Sequence, residues 1–591
     1  MPVSLFYRCL GLSILKNLKD ASSLEDLAAI LGYKPSGLAY IVYKLPPARK
    51  YTKFTIPKSR GNEREIYAPI KPLKMLQRRL ANVLYACRHE IDLESGRRPL
   101  SHGFRQNLSI ISNARLHKRR RYVLNLDLLD FFPTFNFGRV RGFFIHNNSF
   151  KLNERVATII AQIACFENIL PQGSPCSPII SDLIAHLLDV RLAQLAKQNQ
   201  LTYSRYADDL TFSTSQRVFP SSIATPIAEG SPIWTPGNHL ASTIQNAGFI
   251  INPAKTRMQF RMSRQLVTGL TVNAKVNIRP EYYRYARAMC HTLFETGAYY
   301  HPATAQGDEG AVEGAKPERI RSLWSLEGML SHIHHVKNTI DERDEPDKRR
   351  SPTAARRLYA RFLKYRYFVR LERPIIVCEG KTDNIYLKYA IRKLTAFHPK
   401  LGSWKGDTFI SAVTFFSYAN QAHGLLALGG GASDLKYFFI KNRYRQDIRS
   451  FKHRPLAHPV IVLIDNDNGA SELFSTLRKN YSITVELASP DPFFHVTDNL
   501  YLIKTPEKGA VGMSCIEDFF DLSLLGTELE GKKFNPKKES GSEGEYGKFA
   551  FAERVIRPNV DKIDFTGFAP LLDRVVAVID HYKPPASLPE P

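Results

Sequence analysis

The sequence predicts an α+β region over about the first 345 residues, followed by an α/β region with a mostly parallel sheet. Three observations lead there. The chain has 591 residues, too many for one hydrophobic core. Before residue 340, apolar strand-like runs alternate with segments of helical spacing. After a charged, proline-containing stretch at 340–354 (IDERDEPDKRRSPTA), short β-branched runs end in acid or glycine, as strands of a covered parallel sheet do.

In chain order, YVLNLDLLDFF (122–132) predicts a buried strand running into a turn. PIISDLIAHLLDVRLAQLAKQ (178–198) has apolar residues at helical spacing and predicts a long helix. LTYSRYADDLTFST (201–214) predicts a hairpin with two aspartates at its turn. PIIVCEG (374–380) and PVIVLIDND (459–467) predict strands of the second region. Loops are expected at 215–240, 301–318 and 534–547, which are rich in Ser, Pro, Gly or small polar residues. The stretch at 340–354 is the expected domain boundary.

Composition narrows the function classes. The hydrophobic fraction of 43% is ordinary for a globular protein. No run approaches the ~18–20 apolar residues of a membrane helix. Arg8 interrupts the short apolar N-terminal stretch, so no signal peptide and a cytoplasmic location are expected. Seven cysteines without a Cys-x-x-Cys pair argue against a disulfide framework or a thiolate zinc site. The net charge of +26 predicts a polyanionic partner, because such a field promotes counterion release at a phosphate backbone.

Two constellations of acids carry chemistry. Nucleotide polymerisation uses two divalent ions about 3.5–4 Å apart, and hard cations want carboxylate oxygens. Asp127 at a strand end and Asp208 with Asp209 in a hairpin turn can meet if their strands share a sheet. A lone Asp-Asp turn means little, but here it stands in an ordered set. NLDLLDFFPTF (125–135) is followed by PQGSPCSP (171–178), YADD (206–209), GFIINPAKT (248–256) and VTGL (267–270). This set resembles the reverse transcriptase family, and so implies a right-hand polymerase fold of fingers, palm and thumb. By the resemblance, Asp127, Asp208 and Asp209 bind metal, Mg²⁺ or alternatively Mn²⁺, two ions per site. Phe132 is the aromatic gate against a ribose 2′-hydroxyl, and Gln172 and Gly173 hold template and incoming base. Lys255 lies near the pyrophosphate. Lys58 and Arg64, in IPKSRGNEREI (56–66), are candidates for the triphosphate of a dNTP, the alternative being a basic hairpin surface.

NARLH (113–117) and VTGLTVN (267–273) resemble elements typical of retron reverse transcriptases. The resemblance implies that Asn113, His117, Val267, Thr268 and Gly269 belong to an RNA-binding surface. It also implies a cognate non-coding RNA as partner and a branched RNA–DNA hybrid (msDNA) as product. The vicinal histidines His332, His334 and His335 lack the i, i+4 spacing of one helical face, and are expected in the thumb near nucleic acid.

The second constellation lies beyond 370. IIVCEGKTDNIYL (375–387) puts Glu379 at a strand end, with Asp383 in the first turn of a helix. VIVLIDNDNG (460–469) puts Asp465 and Asp467 at the end of another, where ligands bind in open α/β sheets. The arrangement resembles the Toprim domain of topoisomerases, primases and the overcoming-lysogenisation-defect nucleases. Glu379, Asp465, Asp467 and Glu517 would then be catalytic or metal-binding acids. Glu517 and Asp518 also suit an ordinary acidic helix start, and Gly429–Gly431 either a phosphate-approach turn or a tight turn.

The expected organisation is an N-terminal helical extension (1–50), fingers and palm (51–285), thumb (286–345), linker (346–370) and a Toprim nuclease-like domain with a C-terminal extension (371–591). The expected function is a retron reverse transcriptase fused to a nuclease effector in anti-phage defence, acting on DNA or a structured RNA such as transfer RNA. The alternatives are a second half that processes the retron's own hybrid, or one that is a non-catalytic nucleic-acid-binding or oligomerisation module, so a homo-oligomer stays open.

Overall fold

The strands at residues 122–127, 202–206 and 209–214, buried at most of their positions, pair in one antiparallel sheet. The computed structural model describes residues 13–57, 63–229, 231, 233–300, 319–418, 424–440, 442–509, 512–536 and 544–585. Residue contacts divide the chain into two compact units, one running to Pro280 and one starting at Glu281, residues 301–318 aside.

In the first unit, β1 (Tyr51–Pro57) and β2 (Glu63–Pro69) form a hairpin, and α1 (Lys71–Ser95) follows. After α2 (Ile110–Leu116) come β3 (Tyr122–Asp127), α3 (Ser177–Gln198), β4 (Thr202–Tyr206), β5 (Asp209–Thr214) and β6 (Arg257–Phe260). The sheet order is β4-β5-β3-β6, all antiparallel. Its register sets Asp127 opposite Asp209. The strand, long helix and hairpin expected from 122–214 are thus present.

Pro178 lies in the first turn of α3, where a missing N–H costs no helical bond. Leu183, Leu188, Leu192 and Leu195 of α3 are buried with Leu124 and Leu126 of β3. Short helices Ile14–Asp20, Leu24–Leu31 and Pro35–Ala39 add Leu18, Leu27, Leu31 and Leu38 to the same core. Burying one such leucine contributes ~1.5–3 kcal/mol.

The second unit begins with α4 (Pro280–Thr296, from Glu281 on) and continues through α5 (Trp324–Ile340) and α6 (Ala354–Lys364). The sheet that follows comprises β7 (Ile375–Cys378), β8 (Thr414–Phe415), β9 (Val460–Ile464), β10 (Phe494–Thr497) and β11 (Leu500–Lys504). Its order is β8-β7-β9-β11-β10, parallel except for the β10–β11 pair. All side chains of β7, β9 and β11 are buried, which explains the unbroken apolar runs of β7 and β9.

The linker expected at 346–370 is a correction. Residues Glu345–Arg350 and α6 are helical, and Tyr359, Phe362, Leu363, Tyr365 and Phe368 are buried. The arginines of α6 disguise an amphipathic helix whose apolar stripe packs inward. The loop expected at 301–318 lies outside the described residues, as does 537–543 of the one expected at 534–547. The described cysteines are free, and no helix among the described residues is long and apolar enough to cross a membrane.

Candidate active sites

Asp127 ends β3, and the Asp208–Asp209 turn joins β4 to β5. The Leu128 N–H donates to the Asp208 carbonyl at 3.0 Å, holding the turn against the end of β3. Asp127 is buried at 4% exposure, and both its oxygens are engaged. Asn252 Nδ2 donates to Oδ1 at 3.1 Å, and Lys255 Nζ to Oδ2 at 2.8 Å. Desolvation and the Asp127 charge raise the pKa of Asp208. Desolvation, then Asp208 and Asp127, push Asp209 up to about 7. Asp209 keeps solvent access and faces Asp208 and Asp127, whose like charges oppose its ionisation.

An all-carboxylate donor set under mutual repulsion fits a hard divalent cation. Among the described residues, however, no three such side chains already converge closely enough to hold one. At Asp127 the Lys255 ammonium occupies one oxygen.

Around these acids, Phe132 is half-buried against Phe104 and Phe131, with ring centroids 5.8 and 5.6 Å away. The Tyr67 N–H donates to the Gln172 carbonyl at 2.8 Å, stitching the PQG loop to β2. Gly173 has φ +119°, and a Cβ there would sit 2.6 Å from the Tyr67 carbonyl oxygen. No other residue fits at that approach. Arg64 is exposed on β2, and its charge acts to lower the pKa of Asp208. Lys58 lies outside the described residues.

The RNA-binding expectation for Asn113 and His117 needs correction. Both are fully buried, with 0% exposure, and hydrogen-bond to Ser204 and Ser213 inside the unit. They present no surface to RNA. Val267 is buried too, Thr268 is half-buried, and Gly269 is exposed in a tight turn at φ +82°. His332 and His334 pack against the rings of Tyr282 and Tyr359, within their own unit.

In the second unit, Glu379 follows β7 and Asp465 follows the neighbouring β9. Glu379 Oε2 accepts from the Asp465 N–H at 3.1 Å. Asp465 Oδ1 accepts from the Ile516 N–H at 2.9 Å. Burial, then Asp383 and further acids, push Asp465 up to about 8. Burial and Glu517 push Asp383 up to about 6. Asp467 Oδ1 accepts from the Gly469 N–H at 2.8 Å, capping a short turn.

Glu517 is 2% exposed, and its Oε1 has no hydrogen-bond partner among the described residues. Lys548 Nζ lies 2.9 Å from its Oε2 and 4.0 Å from Asp465 Oδ2. Asp518 instead accepts from the Cys515 N–H at 2.7 Å, as an acidic residue at a helix start does. At the glycine turn, the Gly431 N–H donates to the Glu379 carbonyl at 2.8 Å. A buried acid group with an orphaned oxygen fits a divalent cation by donor chemistry.

Sequence reasoning missed Asn252, Ser204, Arg205, Ser213 and Lys548 as members of these neighbourhoods. Asn252 lay inside the quoted GFIINPAKT, where a signal was at hand. Lys548 follows a polar loop without any motif.

The fold and the palm-like acid turn define a nucleotide-polymerising class, and the comparisons specify it. The family described as reverse transcriptase (RNA-dependent DNA polymerase) matches residues 56–272. Retron Ec86 reverse transcriptase of Escherichia coli is 33% identical over 291 residues, covering 49% of this chain and 81% of that protein. Retron Mx65 reverse transcriptase of Myxococcus xanthus is 34% identical over 317 residues, covering 51% of this chain and 70% of that protein. The chain belongs to the retron reverse transcriptase family.

Proposed function

We propose that the first unit synthesises a branched RNA–DNA hybrid from a cognate non-coding RNA. In this reading Asp127, Asp208 and Asp209 hold two Mg²⁺ ions, with Mn²⁺ as a substitute. Such ions activate the attacking hydroxyl and neutralise the leaving pyrophosphate. Lys255, which holds Asp127 Oδ2 at 2.8 Å, would supply a positive charge beside the leaving pyrophosphate once Asp127 held a metal ion. Phe132 excludes a ribose 2′-hydroxyl, Gln172 and Gly173 seat template and incoming base, and Arg64, with Lys58, contacts the triphosphate.

We further propose that the second unit is a Toprim-type, metal-dependent nuclease serving as an effector in anti-phage defence. One observation carries this half: Glu379 and Asp465 end adjacent parallel strands, with Asp383, Asp467 and the buried Glu517, paired only with Lys548 among the described residues, around them. The hybrid made by the polymerase restrains cleavage until it is damaged.

The test is cleavage of DNA and of transfer RNA by the purified chain in Mg²⁺ or Mn²⁺. Wild type and Asp208→Ala are compared with Glu379→Ala and Asp465→Asn. Cleavage lost in the Glu379 and Asp465 variants, and heightened when the hybrid is absent, supports the reading. Unchanged cleavage in those variants contradicts it. Cutting confined to the cognate hybrid would make the second unit a processing enzyme instead.

A further inference from the structure

We propose that the Asn-Ala-x-x-His element is a buried clamp: Asn113 and His117 are positioning residues that hold Ser204 and Ser213 and so set the Asp208–Asp209 turn. β4 is the edge strand of its sheet, and its outer backbone groups need partners. Residues 100–103 supply them. The Arg205 N–H donates to the Leu100 carbonyl at 3.0 Å, and the His102 N–H to the Arg205 carbonyl at 2.8 Å. Gly103 lies so close to the Ala207 backbone that any Cβ would clash.

Ala207, immediately before Asp208, has φ +56°, a conformation most residues avoid. Its carbonyl accepts from Arg205 Nη1 at 3.1 Å. Arg205 is itself fixed by Asp189 at 2.7 and 2.8 Å and by Asp182 at 3.0 Å.

The clamp closes through α2. The Ser204 hydroxyl donates to Asn113 Oδ1 at 2.6 Å. Its lone pairs therefore accept from His117 Nε2 at 2.7 Å, and His117 Nδ1 is left to accept from the Ser213 hydroxyl at 2.7 Å. The result is a one-way hydrogen-bond chain from β5 through His117 to β4 and α2, which selects the Nε2–H tautomer. One imidazole thus cross-links both strands of the catalytic hairpin. The segments flanking NARLH are tied to the VTGLTVN stretch: Thr268 Oγ1 donates to the Ile110 carbonyl at 3.3 Å, at the start of α2, and the Arg119 N–H, two residues past His117, to the Val272 carbonyl at 3.0 Å.

The experiment uses the full chain with Asn113→Ala, His117→Asn, Ser213→Ala and Ser213→Thr. Primer extension on a generic template–primer gives kcat, KM for dNTP and the Mg²⁺ concentration at half-maximal rate. Affinities for that template–primer and for the cognate RNA are measured alongside, with the melting midpoint. A small misplacement of reacting groups costs up to ~100-fold in rate. The clamp therefore predicts kcat reduced about tenfold or more and a higher half-saturating Mg²⁺ in the first three variants. Both affinities should hold, and Ser213→Thr, which keeps the hydroxyl, should recover kcat. Loss of cognate-RNA affinity with normal kcat would overturn the clamp in favour of an RNA-binding role. A lower melting midpoint with unchanged kcat and Mg²⁺ dependence would overturn it in favour of mere stabilisation. Should His117→Asn fail to fold, the Ser213 pair decides alone.

Discussion

At the scale of residues, His117 shows how a polar motif misleads. Its spacing from Asn113 is plain in the sequence, but the sequence does not tell whether a polar pair faces water or a buried serine. Burial, then the charges of Arg120 and His102, lowers the His117 pKa to about 3. The unfolded chain protonates this group near its ordinary pKa of 6.5, and the folded chain only far below. Acidification through that window therefore favours unfolding. His102, lowered to about 4 by burial and Arg105, acts with the same sign. Stability from the neutral clamp should be complete above pH ~6.5 and decline as pH falls toward ~3. The stability gap between wild type and His117→Gln should narrow between pH 7.5 and 5, read as urea midpoints. A gap independent of pH would show that His117 does not titrate as a buried neutral group. The meeting of Asp127 with Asp209, by contrast, was legible, because five ordered motifs constrained each other and the expected strand and hairpin pair in the register that sets the two aspartates opposite.

At the scale of elements, legibility followed apolar periodicity. α3 stands out because Leu188, Leu192 and Leu195 recur at helical spacing, and β3, β4 and β5 stand out as short strand-forming runs buried at most positions. So do β7 and β9, as continuous β-branched runs. α6 was hidden because AARRLYARFLK spends its exposed positions on arginine and lysine beside a charged, proline-bearing stretch, and local composition outweighed the stripe of Tyr359, Phe362 and Leu363. Phe362 is fully buried. Truncating such a side chain costs ~3–5 kcal/mol, so Phe362→Ala should lower the unfolding free energy of the second unit by about that amount in chemical denaturation. A loss below ~1 kcal/mol would mean that residues 346–370 behave as a linker.

At the scale of the whole molecule, the sequence reading placed the boundary near 340–354, whereas the compact units divide at Pro280. α4 explains the difference. Phe294 packs on Tyr365 and Phe451, with centroids 5.3 and 5.0 Å away, and the Arg361 guanidinium lies over both Phe294 and Phe451. The His453 N–H donates to the Phe294 carbonyl at 2.9 Å, and Arg370 Nη1 to the Gly297 carbonyl at 3.1 Å. These partners lie 67 or more residues away in sequence, beyond the reach of local pattern. A fragment ending at residue 345 strips this face of α4. It should bind a hydrophobic dye and melt below the full chain, while a fragment starting at Glu281 should unfold cooperatively. A fragment 1–345 as stable as the full chain, and free of dye binding, would contradict the division at Pro280.

The most direct test of the central claim is to express the chain with its native upstream region and sequence the nucleic acid that copurifies, with Asp208→Ala beside it. The account predicts a short DNA joined through a 2′-branch to a small RNA, present with wild type and absent with the variant. An active polymerase that copurifies with no branched DNA would contradict it.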